Sequence, residues 1–374
     1  MNICIVAHFA YGAMSGGDKG HAGGVERQTS LTAKWLAARG HKVSILTWDE
    51  GGPKEEIIDN VRVIKMCAQD SGIPIVRFFI PRWTSLISAL RKADADVYYQ
   101  NCGEYITGQV ALWCQMNNKK FVFSTANDIE CKPELEEFHN YRERILYKYG
   151  IRHADSLIVQ TDTQASLMKG GFGLDSVVMP MPCPGPDDDA YISRDVIPVK
   201  DFTVLWVARI HESKRLEVLL SIARKLPEIQ FYVAGKPKDI NNYIENVMKE
   251  AESIENVHML GMVSRANMPD LYRKSSVLCC TSLYEGFPNT FLEAWSHGTP
   301  IVSTFDPDNL INKKTLGVSA RNEEDIINGL IELRDKPEFW NECSKNSRSY
   351  YIMNHSVDAV METFEGIIEE TIKD

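Results

Sequence analysis

Two doubly wound α/β domains of similar size are predicted by three features of the sequence. Short apolar, β-branched runs alternate with amphipathic helical stretches almost throughout, the pattern of parallel sheets joined by crossover helices. The alternation breaks once, at Met179-Pro-Met-Pro-Cys-Pro-Gly-Pro-Asp-Asp-Asp189, where four prolines and a glycine forbid regular structure, and then restarts. A chain of 374 residues is also too long for one ordinary domain and suits two. The expected bounds are 1–185, 186–356 and a final helical segment, 357–374.

Taken in order, residues 2–8 read as a buried strand. Residues 25–39 read as a helix with Leu31, Trp35 and Leu36 on its inner face, ended by Gly40. Strands are expected at 42–48, 61–66, 96–100, 120–125, 156–160 and 177–179, with helices between most of them. Past Pro186 strands recur at 203–208, 231–234, 257–260, 277–281 and 301–304, and residues 216–226 read as a helix. Two Rossmann-like domains follow. Residues 357–372 read as one amphipathic helix.

Composition narrows the function classes. With 44% hydrophobic and 25% charged residues, the chain reads as a soluble globular protein. The start MNICIVAHF enters a strand directly, without a basic n-region or cleavage site, and no apolar run approaches membrane-spanning length. Nine scattered cysteines, an odd number without a C-x-x-C pair, suggest reduced thiols. A cytoplasmic location is expected. Residues 1–185 hold 20 Lys+Arg and 20 Asp+Glu, while 186–374 hold 21 and 31, so the net charge of −10 lies in the second half. An acidic body argues against nucleic acid as a partner.

The most informative stretch runs from Tyr284 to Gly298, YEGFPNTFLEAWSHG. It follows the buried strand at 277–281 and opens a helix that stops at Gly298. Unpaired backbone N–H groups collect at such a helix start, so the turn at Gly286, Phe287 and Pro288, running into Asn289 and Thr290, suits a phosphate. The flanking acids, Glu285 in the turn and Glu293 in or near the first helical turn, suit paired hydrogen bonds from sugar hydroxyls instead. Hydroxylated rings at both ends of a pyrophosphate describe a nucleotide sugar. Thr290 and Glu293 also form a T-x-x-E capping box, which needs no ligand.

The spacing of Glu285 and Glu293 within EGFPNTFLEAWSHGTPIV resembles the E-x7-E signature of retaining glycosyltransferases of the GT4 family, which have the GT-B fold. The resemblance implies two Rossmann-like domains facing each other across a cleft, with the C-terminal helix crossing back to the first domain. It implies that Glu285 approaches the donor sugar, that Glu293 holds the ribose and that the amides between them meet the pyrophosphate.

Three further stretches fit. In Trp206-Val-Ala-Arg-Ile-His-Glu-Ser-Lys-Arg215, a strand end leads through a loop to a helix. Arg209 offers a forked contact to phosphate and Lys214 a compact charge, as a leaving diphosphate requires. The string is similar to the family's G-R-x-x-x-x-K-G segment, with Ala208 and Arg215 where glycine is common. The loop of residues 9–27 carries six glycines and contains neither G-K-[ST] nor G-x-G-x-x-G, so P-loop and ordinary dinucleotide readings fail. It resembles the family's G-G-x-E loop, which implies Gly23 and Gly24 near the donor phosphates and a structural Glu26. In Phe123-Ser-Thr-Ala-Asn-Asp-Ile-Glu130, Asn127 stands where many relatives carry His; it can bond a hydroxyl but cannot hold a proton. Gly261 to Val263 resembles the turn where the backbone meets the base.

Two stretches are open to other readings. Asp187 to Asp189 invite comparison with a metal-holding D-x-D, but they lie in a linker and read as a solvated charge run. Residues 73–91, IPIVRFFIPRWTSLISALR, mix aromatic and aliphatic residues with Arg77, Arg82 and Arg91. This composition suits peripheral contact with an anionic membrane surface, though a core-facing helix with ordinary basic flanks is the preferred reading.

The function implied is metal-independent transfer of a sugar, hexosyltransferase-like and with retention, from a nucleotide-sugar donor to a hydroxyl of a glycan or lipid-linked acceptor in polysaccharide or glycoconjugate biosynthesis. A UDP-sugar ranks ahead of a GDP-sugar, and no cofactor is called for. Catalysis would fall to Glu285, Arg209 and Lys214, and donor binding to Gly23, Gly24, Asn127, Val263, Gly286, Phe287, Pro288, Asn289, Thr290 and Glu293. The rivals are another GT-B enzyme, such as a nucleotide-sugar epimerase or a phosphorylase, and a noncatalytic nucleotide-sugar-binding partner protein.

Overall fold

The computed structural model describes residues 1–16, 23–74, 76–136, 138, 140–187, 191–192, 201–237 and 241–373. The chain divides into two compact units, Met1–Pro182 with Val360–Asp374, and Cys183–Ala359.

Among the described residues, the first unit is built on an eight-stranded sheet. Its strands are Asn2–Val6 (β1), Lys42–Thr47 (β2), Glu55–Ile58 (β3), Val61–Lys65 (β4), Val97–Asn101 (β5), Lys120–Ser124 (β6), Ser156–Val159 (β7) and Val177–Val178 (β8). The order is β3-β4-β2-β1-β5-β6-β7-β8, parallel except for β3, which runs antiparallel to β4 at one edge. β3 (EEII) escapes the sequence reading because it is neither fully apolar nor alternating, and Ile57 is exposed. The apolar run of β1 is buried on both faces because helices cover both sides of the sheet. The strand order reverses between β1 and β5, which makes their carboxyl ends the topological switch point.

The helix Gly24–Ala38 corrects the expected inner face. Leu36 is buried, but Leu31 and Trp35 are only half-buried, and Thr29, Ser30, Thr32, Ala33 and Ala37 complete the buried stripe. The hydroxyls tolerate burial because they are satisfied locally: Thr29 Oγ1 donates to the Val25 carbonyl at 2.7 Å and Ser30 Oγ to that of Ala13 at 3.2 Å. Trp35 stays at the surface with the Arg39 guanidinium 5.1 Å from its ring centre.

The C-terminal helix Val357–Lys373 joins this unit from Val360 onward. Val360, Met361, Phe364 and Ile368 form its buried stripe at helical spacing. Phe364 meets Tyr99 edge-on at 4.8 Å, and Glu365 accepts from His41 Nε2 at 2.5 Å and Arg39 Nη2 at 3.1 Å.

Residues 73–91 divide in two. In the helix Thr84–Ala93, Leu86, Ala89 and Leu90 are buried, so this part faces the core. Just before it, Ile73, Val76, Phe79 and Ile80 are exposed, while Phe78 is buried beneath the Arg142 guanidinium, 3.8 Å from its ring centre.

Among the described residues, the second unit has six parallel strands: Thr203–Val207 (β9), Gln230–Ala234 (β10), Val257–Gly261 (β11), Val277–Cys280 (β12), Ile301–Ser303 (β13) and Gly317–Ser319 (β14). Their order, β11-β10-β9-β12-β13-β14, is that of a dinucleotide-binding sheet, and it reverses between β9 and β12. The three-residue β14 is too short for a periodic signal to reveal it. Residues 179–187 form neither helix nor strand. Asp188 and Asp189 of the acidic run, and residues 17–22 of the glycine-rich loop, lie outside the described residues. Among the described residues, no helix is long and apolar enough to cross a membrane.

Arg215 explains one departure from the G-R-x-x-x-x-K-G pattern. Its φ of +51° lies in the left-handed region, where glycine fits most easily. Its side chain instead spans to the neighbouring strand ends: Nε donates to the Thr281 carbonyl at 2.6 Å and Nη2 to Thr304 Oγ1 at 3.0 Å. Bonds from a charged donor contribute about 1.5–3 kcal/mol each, more than the roughly 1–2 kcal/mol cost of the backbone conformation. Arg215→Ala is therefore expected to lose about 2–3 kcal/mol in denaturant unfolding, and Arg215→Gly about 1 kcal/mol less, since glycine relieves the strain.

A second prediction concerns helix packing. A Cβ on Gly108, in the helix Tyr105–Met116, would lie 2.2 Å from the Leu146 carbonyl oxygen of the helix Tyr141–Arg152. Gly108→Ala is expected to destabilise by about 1–3 kcal/mol through overpacking. Gly170, in the helix Asp162–Phe172, faces open space, and Gly170→Ala should stabilise by about 0.5–1 kcal/mol. Melting temperatures moving in opposite directions would bear both out.

Candidate functional site

At the switch point of the second unit, hydrogen bonds join the connections leaving β9 and β12. Trp206 Nε1 donates to Thr281 Oγ1 at 3.0 Å, and Thr281 Oγ1 donates to the Lys214 carbonyl at 2.6 Å. The Leu283 N–H donates to the Ser213 carbonyl at 2.9 Å. Lys214 closes the short turn Glu212–Lys214, where the His211 side chain accepts from the Ser213 N–H.

This zipper brings together residues 71 apart in sequence: the Lys214 ammonium is ion-paired to Glu285 Oε1, which also accepts from Ser282 Oγ at 2.7 Å. Oε2 and two of the ammonium N–H groups keep their capacity for other partners. Burial, and after it the Glu285 charge, push the Cys280 thiol up from its ordinary pKa, so it stays protonated beside this pair. Arg209, early in the same connection, is exposed and makes no hydrogen bond or ion pair among the described residues.

Past Glu285 the chain turns at Gly286 into the helix Asn289–Ser296. Phe287 anchors the turn: it is buried, with Trp295 at 6.1 Å and His355 at 5.3 Å between ring centres. Pro288 is the N-cap, and no side chain caps this helix, so the Thr290–Glu293 capping box does not form. Asn289 and Thr290 are the first two helical residues, and Glu293 is the fifth, just past the first turn. Its Oε2 accepts from Tyr272 Oη at 2.7 Å.

Not every expected residue joins this group. Val263 is half-buried just past β11, the edge strand two places from β9 on the side away from β12; Gly261 before it has φ +64°. Gly23, Gly24 and Asn127 belong to the first unit. There Gly23 is the N-cap of the helix Gly24–Ala38, and a Cβ on it would meet Glu26 Oε2 at 2.5 Å. Glu26 thus folds back over the helix start, where a negative charge is favourable. Asn127 Oδ1 accepts from the Glu130 N–H at 3.0 Å, so the amide hydrogens remain as its donors toward other partners.

Several organising residues were not singled out in the sequence. Glu130, 2% exposed, accepts from the Gly103 N–H at 2.9 Å and the Ala126 N–H at 3.3 Å, tying the ends of β5 and β6. His8 Nε2 lies 3.0 Å from Glu104 Oε2 across the first unit's switch point. Burial, followed by the carboxylates of Glu130, Glu104 and Glu26, raises the Cys102 thiol well above its ordinary pKa. In the second unit, Ser282 lies at the end of an expected strand and shows only as a small polar residue there. Tyr272 stands 21 residues before its carboxylate and carries no local signal.

Comparison with known proteins gives the family and the fold. Residues 22–183 match the family described as Glycosyltransferase Family 4, and residues 187–350 the family described as Glycosyl transferases group 1. Among curated proteins, an uncharacterized glycosyltransferase of Haemophilus influenzae is 22% identical over 363 residues, covering 93% of this chain and 97% of its own. The mannosylfructose-phosphate synthase of Agrobacterium fabrum is 29% identical over 197 residues, covering 46% of this chain and 42% of its own. Among solved structures, the sucrose-phosphate synthase of Thermosynechococcus elongatus superposes with a TM-score of 0.79 at 18% identity, covering 98% of each chain. Two α/β units in sequence, each matching its half of the family, make this chain a GT-B glycosyltransferase of the group 1, family 4 type.

Proposed function

We propose that the protein transfers a sugar from a nucleoside diphosphate sugar to a hydroxyl of a glycan or lipid-linked acceptor, with retention and without a metal, in polysaccharide or glycoconjugate biosynthesis. The observation that carries this reading is the Lys214–Glu285 pair at the switch point of a dinucleotide-type sheet, with Arg209, which makes no hydrogen bond or ion pair among the described residues, earlier in the same connection from β9. A cation next to a carboxylate at the head of a helix matches the two needs of such a donor: positive charge for the diphosphate and acceptor oxygens for sugar hydroxyls.

In this reading the second unit holds the donor. Arg209 and Lys214 stabilise the charge developing on the leaving diphosphate, Glu285 Oε2 orients the sugar, and Glu293 holds the ribose. The turn from Gly286 to Thr290 presents the start of its helix to the diphosphate, with Phe287 and Pro288 fixing its shape. Val263 and its neighbours meet the base. The first unit takes the acceptor, with Gly23, Gly24 and Asn127 contributing to the phosphates and sugar. The leaving diphosphate oxygen removes the acceptor proton, so no separate base is required.

The exposed Ile73, Val76, Phe79 and Ile80 suit peripheral contact with a membrane that holds a lipid-linked acceptor. Arg77 and Arg82 contribute less than their number suggests, because Arg77 pairs with Asp70 at 3.6 Å and Arg82 donates to the Gln69 carbonyl at 2.6 Å.

Melting of the protein with UDP-, GDP- and ADP-sugars, without metal, tests the donor site. One donor, a UDP-sugar first, is expected to raise the melting temperature by mass action, and Glu293→Ala to abolish the rise. With a competent acceptor, Lys214→Ala and Arg209→Ala should each slow nucleoside diphosphate release by about 100-fold or more. Stabilisation without turnover for any acceptor would point to the noncatalytic binding protein instead. For the membrane contact, sedimentation with anionic liposomes at low salt is expected for the unaltered protein and should be lost in Phe79→Asp/Ile80→Asp; no sedimentation of the unaltered protein would dismiss it.

A further inference from the structure

We propose that Tyr272 is a positioning residue for nucleoside recognition: it holds the Glu293 carboxylate in the orientation that selects a ribose with free hydroxyls. The inference rests on the reading of Glu293 as the ribose ligand. Tyr272 comes from the helix Met268–Lys274 and is 1% exposed, so its ring is packed on all sides. Its Oη donates to Glu293 Oε2 at 2.7 Å.

The tyrosine is itself held from the helix that carries Glu293 and from the residues that follow it. The Tyr272 carbonyl accepts from Thr299 Oγ1 at 2.8 Å. Its ring stacks on His297 with centres 6.0 Å apart and planes 22° apart, and His297 Nδ1 lies 2.9 Å from the Glu293 carbonyl. The helix presenting the carboxylate and the side chain gripping it are therefore one packed body. A glutamate has three side-chain torsions, and a buried donor on one oxygen removes most of that freedom before a ligand arrives. Oε1 is left to accept hydroxyls, with the second lone pair of Oε2 beside it. Two vicinal hydroxyls meet such a pair of oxygens only when the carboxylate plane is fixed.

The test compares binding of a ribonucleoside diphosphate with its 2′,3′-dideoxy counterpart of the same base, by titration calorimetry. The unaltered protein is expected to favour the ribonucleoside by at least about tenfold, the worth of hydrogen bonds to a charged group. Tyr272→Phe, which keeps the ring volume, should retain the melting temperature within a few degrees while reducing that preference several-fold, chiefly by weakening the ribonucleoside. Glu293→Ala should remove the preference, and adding Tyr272→Phe to it should change nothing further, since the tyrosine acts through the carboxylate.

An undiminished preference in Tyr272→Phe would overturn the proposal. So would a further loss in the double variant, which would mean that the tyrosine acts independently of Glu293. A preference surviving in Glu293→Ala would instead overturn the ribose reading of Glu293 on which the proposal stands.

Discussion

The buried hydroxyl of Thr281 is the junction on which the second unit's switch-point site depends. It accepts from the Trp206 indole, donates to the Lys214 carbonyl, and belongs to a residue whose own carbonyl takes Arg215 Nε. Two strand ends that the topology merely places side by side are thereby fixed in height relative to each other. A hydroxyl with no exposure cannot exchange these partners for water, so losing any one of them carries the desolvation cost of an unmade bond. The pairing of Lys214 with Glu285 is one step downstream, since it needs both connections to leave the sheet at matching levels. The site is local in space, but its precision comes from a residue that touches no proposed ligand.

What could be read in the sequence was what is local or periodic. Buried strands such as β1, β9 and β12 are continuous apolar runs, and the turn–helix carrying Glu285 and Glu293 is one contiguous string. Features that depend on tertiary partners stayed hidden. The T-x-x-E pattern at Thr290 and Glu293 is a sound local signal for a cap, yet the helix begins two residues too early for it, and Tyr272 claims the carboxylate. The inner face of Gly24–Ala38 was misread because hydroxyls that bond their own helix or a nearby carbonyl can be buried like small apolar groups. Arg215, which stands where the family segment commonly has glycine, gave no sign in the sequence of its two bonds to neighbouring strand ends.

Net charge proved a poor guide to local field. The second half of the chain carries the whole excess of acid, yet its switch point holds Arg209, Lys214 and Arg215. Much of the acidity sits elsewhere, as in Glu323, Glu324 and Asp325 at the start of the helix Glu323–Asp335, where it complements the helix dipole. The balanced first half gathers carboxylates at its own switch point, with Glu26, Glu104 and Glu130 all acting on the Cys102 thiol. A single charge sum averages over contrasts that set what each strand end can bind.

The return of the last helix to the first unit has a consequence for how the molecule assembles. The first unit is discontinuous, so its sheet and most of its helices are synthesised before Val360, Met361, Phe364 and Ile368, which cover Tyr99 and the Thr32 side of the helix Gly24–Ala38. On the ribosome that apolar face must wait, uncovered, through synthesis of the entire second unit, a delay of about 10–40 s at 5–20 residues per second. The two units are then not interchangeable modules in biogenesis. The second can close as soon as its own residues emerge, whereas the first, though begun earlier, is completed last, and a holding chaperone would find its target on that waiting face.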